Sequence, residues 1–221
     1  MQLRAENISR RYFRKHGEAN FFEAVRSVSL TLESGKLTVL NGKSGSGKTT
    51  LLNMIGGLLN PSEGKVFLDE TDLYALEDKD LSRLRSKRIG VIPQGRSAVD
   101  TLSVYENILL PGMLYGGTLR TEEAENWMTV LGISDLRNAM PAELSGGELR
   151  RMAIARTLTA NPEVILADEP TGDLDNENTR TVLTAFQQAA KAGKAVLVVS
   201  HETDAEAYAD QIYHMNHGTI E

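Results

Sequence analysis

The sequence predicts an α/β fold with a mostly parallel sheet, and three observations carry that prediction. A glycine-rich stretch at residues 42–49 (GKSGSGKT) sits between a strand-like segment (KLTVL) and an apolar helix-like one (TLLNMIGGLL). The runs VILA at 164–167 and AVLVV at 195–199 are continuously apolar, as strands covered on both faces are. A long helical pattern separates these runs, so they are expected to pair in parallel through a right-handed crossover.

Taken in order, residues 3–9 and 24–32 alternate in part and read as two early strands joined by a polar stretch at 14–20. Because they precede the glycine-rich stretch, they are expected to form an antiparallel flap on the main sheet. Residues 36–40 form the strand before the loop and 50–59 the helix after it. Residues 61–64 (PSEG) are a turn signal, 65–68 a strand, 78–85 a short charged helix and 89–92 a strand ended by Pro93. From Gln94 to about Pro162 apolar residues recur at helical spacing with no convincing strand, which predicts a helical insertion. Thr121 is expected to cap a helix with Glu122 and Glu123 in its first turn, running to about Leu131. Residues 176–192 read as a long helix stopped by Gly193. One domain over 1–221 follows, with a core of 1–93 and 163–221 and a helical subdomain of about 94–162.

At 221 residues the chain can bury a sizeable core. Its net charge of −6 supplies no general basic field for nucleic acid or an anionic membrane surface. The absence of cysteine excludes disulfides, thiolate metal sites and thiol nucleophiles, and fits a reducing cytoplasm. The amino-terminal residues are charged, so no secretory leader is expected. No segment approaches the roughly twenty apolar residues that cross a bilayer. A membrane role is therefore expected to need another polypeptide.

Gly42, then Lys43, Ser44, Gly45 and Ser46, then Gly47, Lys48 and Thr49 meet the full phosphate-loop pattern, with Thr50 following. The glycines let successive N–H groups point inward, and the helix starting near Lys48 adds its positive end. Lys48 is placed to reach β and γ phosphates, and Thr49 to offer a hydroxyl to Mg²⁺. The plain alternative, a loop that merely turns the chain, does not explain its position between strand and helix.

VILADE brings Asp168 and Glu169 to a strand's carboxyl end, where open α/β sheets place ligands. Successive side chains point to opposite faces, so Asp168 is assigned to the Mg²⁺ shell and Glu169 to the general base. Alternatively, the pair simply ends a strand before Pro170. Ser145 and Glu148 of LSGGE have capping-box spacing before an amphipathic helix, while Gly146 and Gly147 leave that helix's N–H groups open to a second anion. Both readings can hold. Two phosphate-facing helix starts exceed what one γ phosphate needs, unless the second serves a nucleotide on another copy in a two-fold dimer.

Together these residues resemble the ATP-binding subunits of ABC transporters, over essentially the whole chain and in the family's order. GKSGSGKT resembles Walker A, LSGGE the signature, VILADE Walker B and TGDLD (171–175) the D-loop. The resemblance implies an ABC ATPase fold around a P-loop NTPase core. It implies that Gln94 is the glutamine that touches Mg²⁺ and senses the γ phosphate, and that His201 holds that phosphate and orients the water. Tyr12 is similar to the family's adenine-stacking aromatic, with Phe13 and Phe22 as competitors. The signature departs from its commonest form by ending in Glu148 instead of glutamine, and residues 95–98 are less typical.

The resemblance further implies a Mg²⁺-dependent ATPase. Two copies would close head to tail around two Mg-ATP, each completing its own site with Ser145 and Gly147 of the other. Closure would draw together separate membrane permease subunits. IGGLLNPSEG and LADEPTGDLD look most like the lipoprotein-release, macrolide-efflux and antimicrobial-peptide-resistance group. The expected cargo is hydrophobic or peptide-like, and the expected location is the cytoplasmic face of the membrane. Residues 95–118, with Met113, Leu114 and Tyr115, are expected to receive the membrane subunit, or else to form a solvated loop. A non-transport ATPase that signals through a membrane partner is an open alternative. A nucleic-acid-associated one is disfavoured, since no coiled coil, tandem cassette or basic stripe is present.

Overall fold

The two apolar runs are split residue by residue between two cores. Ile165, Ala167, Val196 and Val198 enter one, while Val164, Leu166, Ala195, Leu197 and Val199 enter the other. Period-two alternation with both faces covered produces this division. The computed structural model describes residues 1–13, 21–114, 119–172 and 174–221. The expected polar connection at 14–20, Tyr115 and Asp173 lie outside the described residues.

Among the described residues one sheet is antiparallel, in the order β2-β1-β4-β5, with β1 (Gln2–Phe13), β2 (Phe21–Glu33), β4 (Glu63–Leu68) and β5 (Thr71–Asp72). The second runs β10-β9-β3-β8-β7-β6, from β3 (Leu37–Asn41), β6 (Ile89–Ile92), β7 (Val164–Asp168), β8 (Ala195–Ser200), β9 (Gln211–Asn216) and β10 (Thr219–Ile220). Every pairing in this second sheet is parallel except the β9–β10 hairpin. The early strands thus form the expected antiparallel flap, within a separate sheet that shares no ladder with the parallel one. β1 is hydrogen-bonded on both sides, to β2 and to β4, so no edge of it is left for the parallel sheet.

Between the two sheets lies α1 (Lys48–Ile55), whose Leu51, Leu52, Met54 and Ile55, with Leu81 of α2 (Asp78–Arg88), join Leu3, Ile8, Val66 and Leu68 in one core. The other face of the parallel sheet is covered by α3 (Val104–Leu114), α4 (Thr121–Val130), α5 (Gly146–Thr159) and α6 (Asn176–Lys191). α3, α4 and α5 all fall between β6 and β7, and their buried residues share a core with Val182, Phe186 and Val198.

Three local expectations shift. α1 ends at Ile55 instead of continuing to 59, because Gly56 and Gly57 follow and Gly57 takes a positive φ of 70°. Thr121 is the first residue of α4 and caps nothing; the N-cap is Arg120, without a side-chain hydrogen bond. β9 and β10 were not expected, since QIYHMN is half exposed and lacks the continuous apolar character of its parallel neighbours. No helix among the described residues is long and apolar enough to cross a membrane.

Candidate functional site

β3 ends at Asn41 and the chain curls through residues 42–47 into α1. A Cβ on Gly42 would lie 2.3 Å from the Met215 carbonyl oxygen. One on Gly47, whose φ is 108°, would lie 2.1 Å from that of Ala24. Neighbouring backbone therefore forbids any side chain at either position, and it comes from β9 and β2, far along the chain. Gly218 N–H donates to Ser46 O at 2.9 Å, bracing the curl from the β9–β10 turn. Gly47, the N-cap of α1, provides no side-chain cap, so the first amides of that helix face the cleft unclaimed by a side chain.

Lys48 is 6% exposed, and its Nζ donates to Gly42 O at 2.5 Å and Lys43 O at 3.1 Å. Burial pushes its pKa down, against the opposing pull of Glu169 and Asp168. Glu169 Oε1 stands 3.9 Å from Lys48 Nζ, while Oε2 lies 2.7 Å from His201 Nδ1. An ionised carboxylate only accepts, so this contact requires the His201 proton on Nδ1. Glu169 has a φ of 48°, a left-handed backbone that costs a non-glycine residue about 1–3 kcal/mol. Its N–H donates to Val199 O at 2.9 Å, which helps hold the strained backbone.

Asp168 ends β7 opposite Val199 of β8 and is 2% exposed. Burial raises its pKa first; a hydrogen bond from Thr49 works the other way, and Glu169 adds to the rise. Asp168 Oδ1 is buried with no hydrogen-bond partner among the described residues, and so is Ser46 Oγ. An orphaned carboxylate oxygen beside the Thr49 hydroxyl suits a hard divalent cation, whose ligands are oxygens. The donor set therefore fits Mg²⁺.

A cavity of about 660 Å³ opens over the curl. Ser44, Gly45, Ser46, Gly47, Lys48, Thr49 and Thr50 form its floor, with Gln94 and Glu169 at one side. Tyr12 and Phe22 form another wall, their rings stacked at 5.5 Å and 22°, and the Arg10 guanidinium lies 5.0 Å from the Tyr12 centroid. Both named rivals are thus placed: Phe22 shares the wall, whereas Phe13 is almost fully exposed and lines nothing here. Sequence reasoning missed Arg26, His217 and Gly218, which also line the cavity. The available signal was Asn216-His217-Gly218, a hairpin turn sequence; His217 and Gly218 have φ of 45° and 86° as a type I′ turn requires.

Gly42 and Lys43 support the floor through their carbonyls, Asp168 lies behind Thr49, and His201 reaches the site through Glu169. Asn41 Nδ2 donates to Glu202 O at 3.2 Å and to Glu206 Oε1 at 2.6 Å, fixing the segment after His201.

Ser145, Gly146 and Gly147 do not line this cavity; they begin α5 on an exposed surface. Ser145 and Glu148 form a reciprocal capping box. Gly147 lies close to Leu174, where a Cβ would meet Cδ2 at 3.0 Å. Two arginines of α5 hold the loop around Gln94: Arg150 donates to Pro93 O at 2.7 Å, and Arg156 to Ser97 O at 2.8 Å and Ser97 Oγ at 2.6 Å.

A family model described as "ABC transporter" matches residues 25–172. The chain is 35% identical to the lipoprotein-releasing system ATP-binding protein LolD of Aquifex aeolicus, covering 99% of this chain and 95% of that one. It is 37% identical to the macrolide export ATP-binding/permease protein MacB of Campylobacter jejuni, over 89% of this chain and 31% of that longer protein. Its fold is similar, at a TM-score of 0.90 and 32% identity, to the dimeric post-hydrolysis structure of the ATP-binding cassette MJ0796 bound to ADP and Pi. That match covers 99% of this chain and 96% of the other.

Proposed function

The chain belongs to the ABC transporter family as an ATP-binding, ATP-hydrolysing subunit, and from that premise we propose how its residues divide the work. The observation that carries the proposal is the pairing of Glu169 with both Lys48 and His201 beside a buried, half-satisfied Asp168. Few structural roles account for two acids and a lysine gathered at one strand end with open helix amides facing them.

In this reading the amides of residues 44–49 and the Lys48 ammonium bind the phosphates. Thr49, Asp168 and Gln94 would hold Mg²⁺, which would supply neutralisation of the phosphate charge. Nucleotide draws Lys48 Nζ from the carbonyls of Gly42 and Lys43 toward phosphate, freeing Glu169 Oε1 to accept the proton of an attacking water. His201 keeps Glu169 oriented through Nδ1. Tyr12, backed by Phe22, offers the adenine a ring face. Residues 94–162 act as a helical lobe within one nucleotide-binding domain, and α5 turns its N-terminus toward the nucleotide of a second copy.

Closure of two such copies moves separate membrane subunits, at the cytoplasmic face, that export or extract a hydrophobic or peptide-like cargo. Residues 95–118 are the proposed receiving surface; Met113 and Leu114 are exposed there, and Tyr115 lies outside the described residues. The test is direct titration of Mg-ATP with light scattering, on the chain and on Glu169→Gln. The expected outcome is that Glu169→Gln binds ATP normally and accumulates as a dimer. A monomer at saturating Mg-ATP, free and with its membrane partner, would overturn the reading.

A further inference from the structure

The helix start at Ser145 already holds an anion, and it is the chain's own. Glu148 Oε2 accepts from Ser145 N–H at 2.8 Å and from Ser145 Oγ–H at 2.7 Å. A hydroxyl has one proton, so Ser145 Oγ has none to offer a second acceptor while this contact stands. The return bond, Glu148 N–H to Ser145 Oγ, is long at 3.4 Å. The Ser145 hydrogen bonds hold the Glu148 carboxyl below the usual range, with help from Arg151 one turn on, so the group is ionised. Ser145 and Gly146 are exposed, and among the described residues no atom stands within 4 Å of where a Gly146 side chain would project. The cap is thus open to a visitor while its donors are occupied from within.

We propose that Glu148 is an internal stand-in for the partner-bound γ-phosphate, occupying the Ser145 donors in the free subunit and setting the threshold for ATP-driven dimerisation. This rests on the nucleotide-sandwich reading above. For a phosphate to take those donors, Glu148 must turn away or remain as a second anion at the same helix end. Either course opposes closure, and two-fold symmetry applies it twice.

Glu148→Gln separates charge from cap, because glutamine preserves the length and the capping-box geometry while removing the negative charge. The substitution is made in full-length chain carrying Glu169→Gln, and dimer formation is followed by light scattering against Mg-ATP. The expected result is a dimer association constant raised about tenfold per site, or about a hundredfold for the symmetric pair. That ratio should shrink as ionic strength rises from about 0.05 to about 0.5 M, which loss of a cap would not produce. Nucleotide affinity of the monomer should not change. Glu148→Ala, which removes both charge and cap, should also dimerise more readily than the parent despite a lower melting temperature. Equal or weaker dimerisation of Glu148→Gln would overturn the proposal and leave Glu148 a helix cap. If the Glu169→Gln parent itself stays monomeric, the sandwich reading falls first and this inference with it.

Discussion

Two helix starts rich in glycine, one at Lys48 and one at Gly146, solve the same backbone problem in opposite ways. At the first, the cap residue Gly47 offers no side chain and the amides are left open beneath a walled cavity. At the second, Ser145 and Glu148 close the helix end on itself, on an exposed surface. The first is braced by distant backbone at Ala24, Met215 and Gly218, so it keeps its shape without a cap of its own. The second borders only a smaller cavity, of about 170 Å³, lined by Gly95, Arg96, Ser97, Ala98 and Gly172. A donor left open in solvent gains little, whereas a self-capped helix is stabilised by about 0.5–2 kcal/mol until a partner arrives. Where the chain completes its own site it leaves donors free; where a second copy completes it, the chain caps itself.

This contrast predicts that cradle variants act on the monomer and signature variants only on the dimer. The largest effect is expected from Glu169→Gln: single-turnover hydrolysis should fall about 10²–10⁴-fold, with ATP affinity retained. Normal turnover would remove Glu169 from the role of base. Next, Lys48→Ala should weaken ATP binding by about 10–100-fold in calorimetric titration of the monomer, through loss of a charge-assisted bond to phosphate. Unchanged affinity there would erase the distinction between the two helix starts. Ser145→Ala should leave that titration untouched and lower ATP-driven dimerisation several-fold, as seen by light scattering. Tyr12→Ala should cost about 3–10-fold in adenine nucleotide affinity, consistent with one lost stacking contact. If Phe22→Ala costs more, the two rings exchange roles.

The smallest effect concerns a clasp outside both regions. Arg88 Nη2 bridges Asp69 Oδ2 and Glu163 Oε2 at 2.6 Å each, tying the antiparallel sheet to the start of β7. The Arg88 hydrogen bond, ahead of opposing desolvation, holds the Asp69 carboxyl below its ordinary pKa. A depressed folded pKa gives stability present above the unfolded value and lost as pH falls through the folded one. The contribution should therefore begin to fall as pH drops below about 4 and vanish only once pH has passed the depressed folded value. Partial exposure limits it to about 1 kcal/mol or less. Thermal unfolding from pH 7 to 3 should show a shallower loss in Arg88→Ala than in the parent chain.

The parallel strands were legible because continuous apolar runs between polar turns have few other uses, and the glycine-rich curl because its spacing is demanding. The wall at Arg26, His217 and Gly218 was not predicted, although the Asn216-His217-Gly218 turn was visible. A half-exposed strand such as β9 reads as loop until the sheet that it extends is known. The antiparallel flap of the two early strands was expected, but its extension by β4 and β5 was hidden, since β1 and β4 pair across 54 to 65 residues and register leaves only a weak trace in local pattern.

By itself the sequence determined the residue types that can hold phosphate and a hard cation, their order along the chain, and the strand and helix periods around them. Tertiary structure alone decided which distant atoms meet: Glu169 between Lys48 and His201, and one Asp168 oxygen left without a partner among the described residues. The reason is physical. Period and spacing follow from the geometry of one segment, whereas burial, strain and unsatisfied polar atoms arise only when segments distant in the chain are packed together.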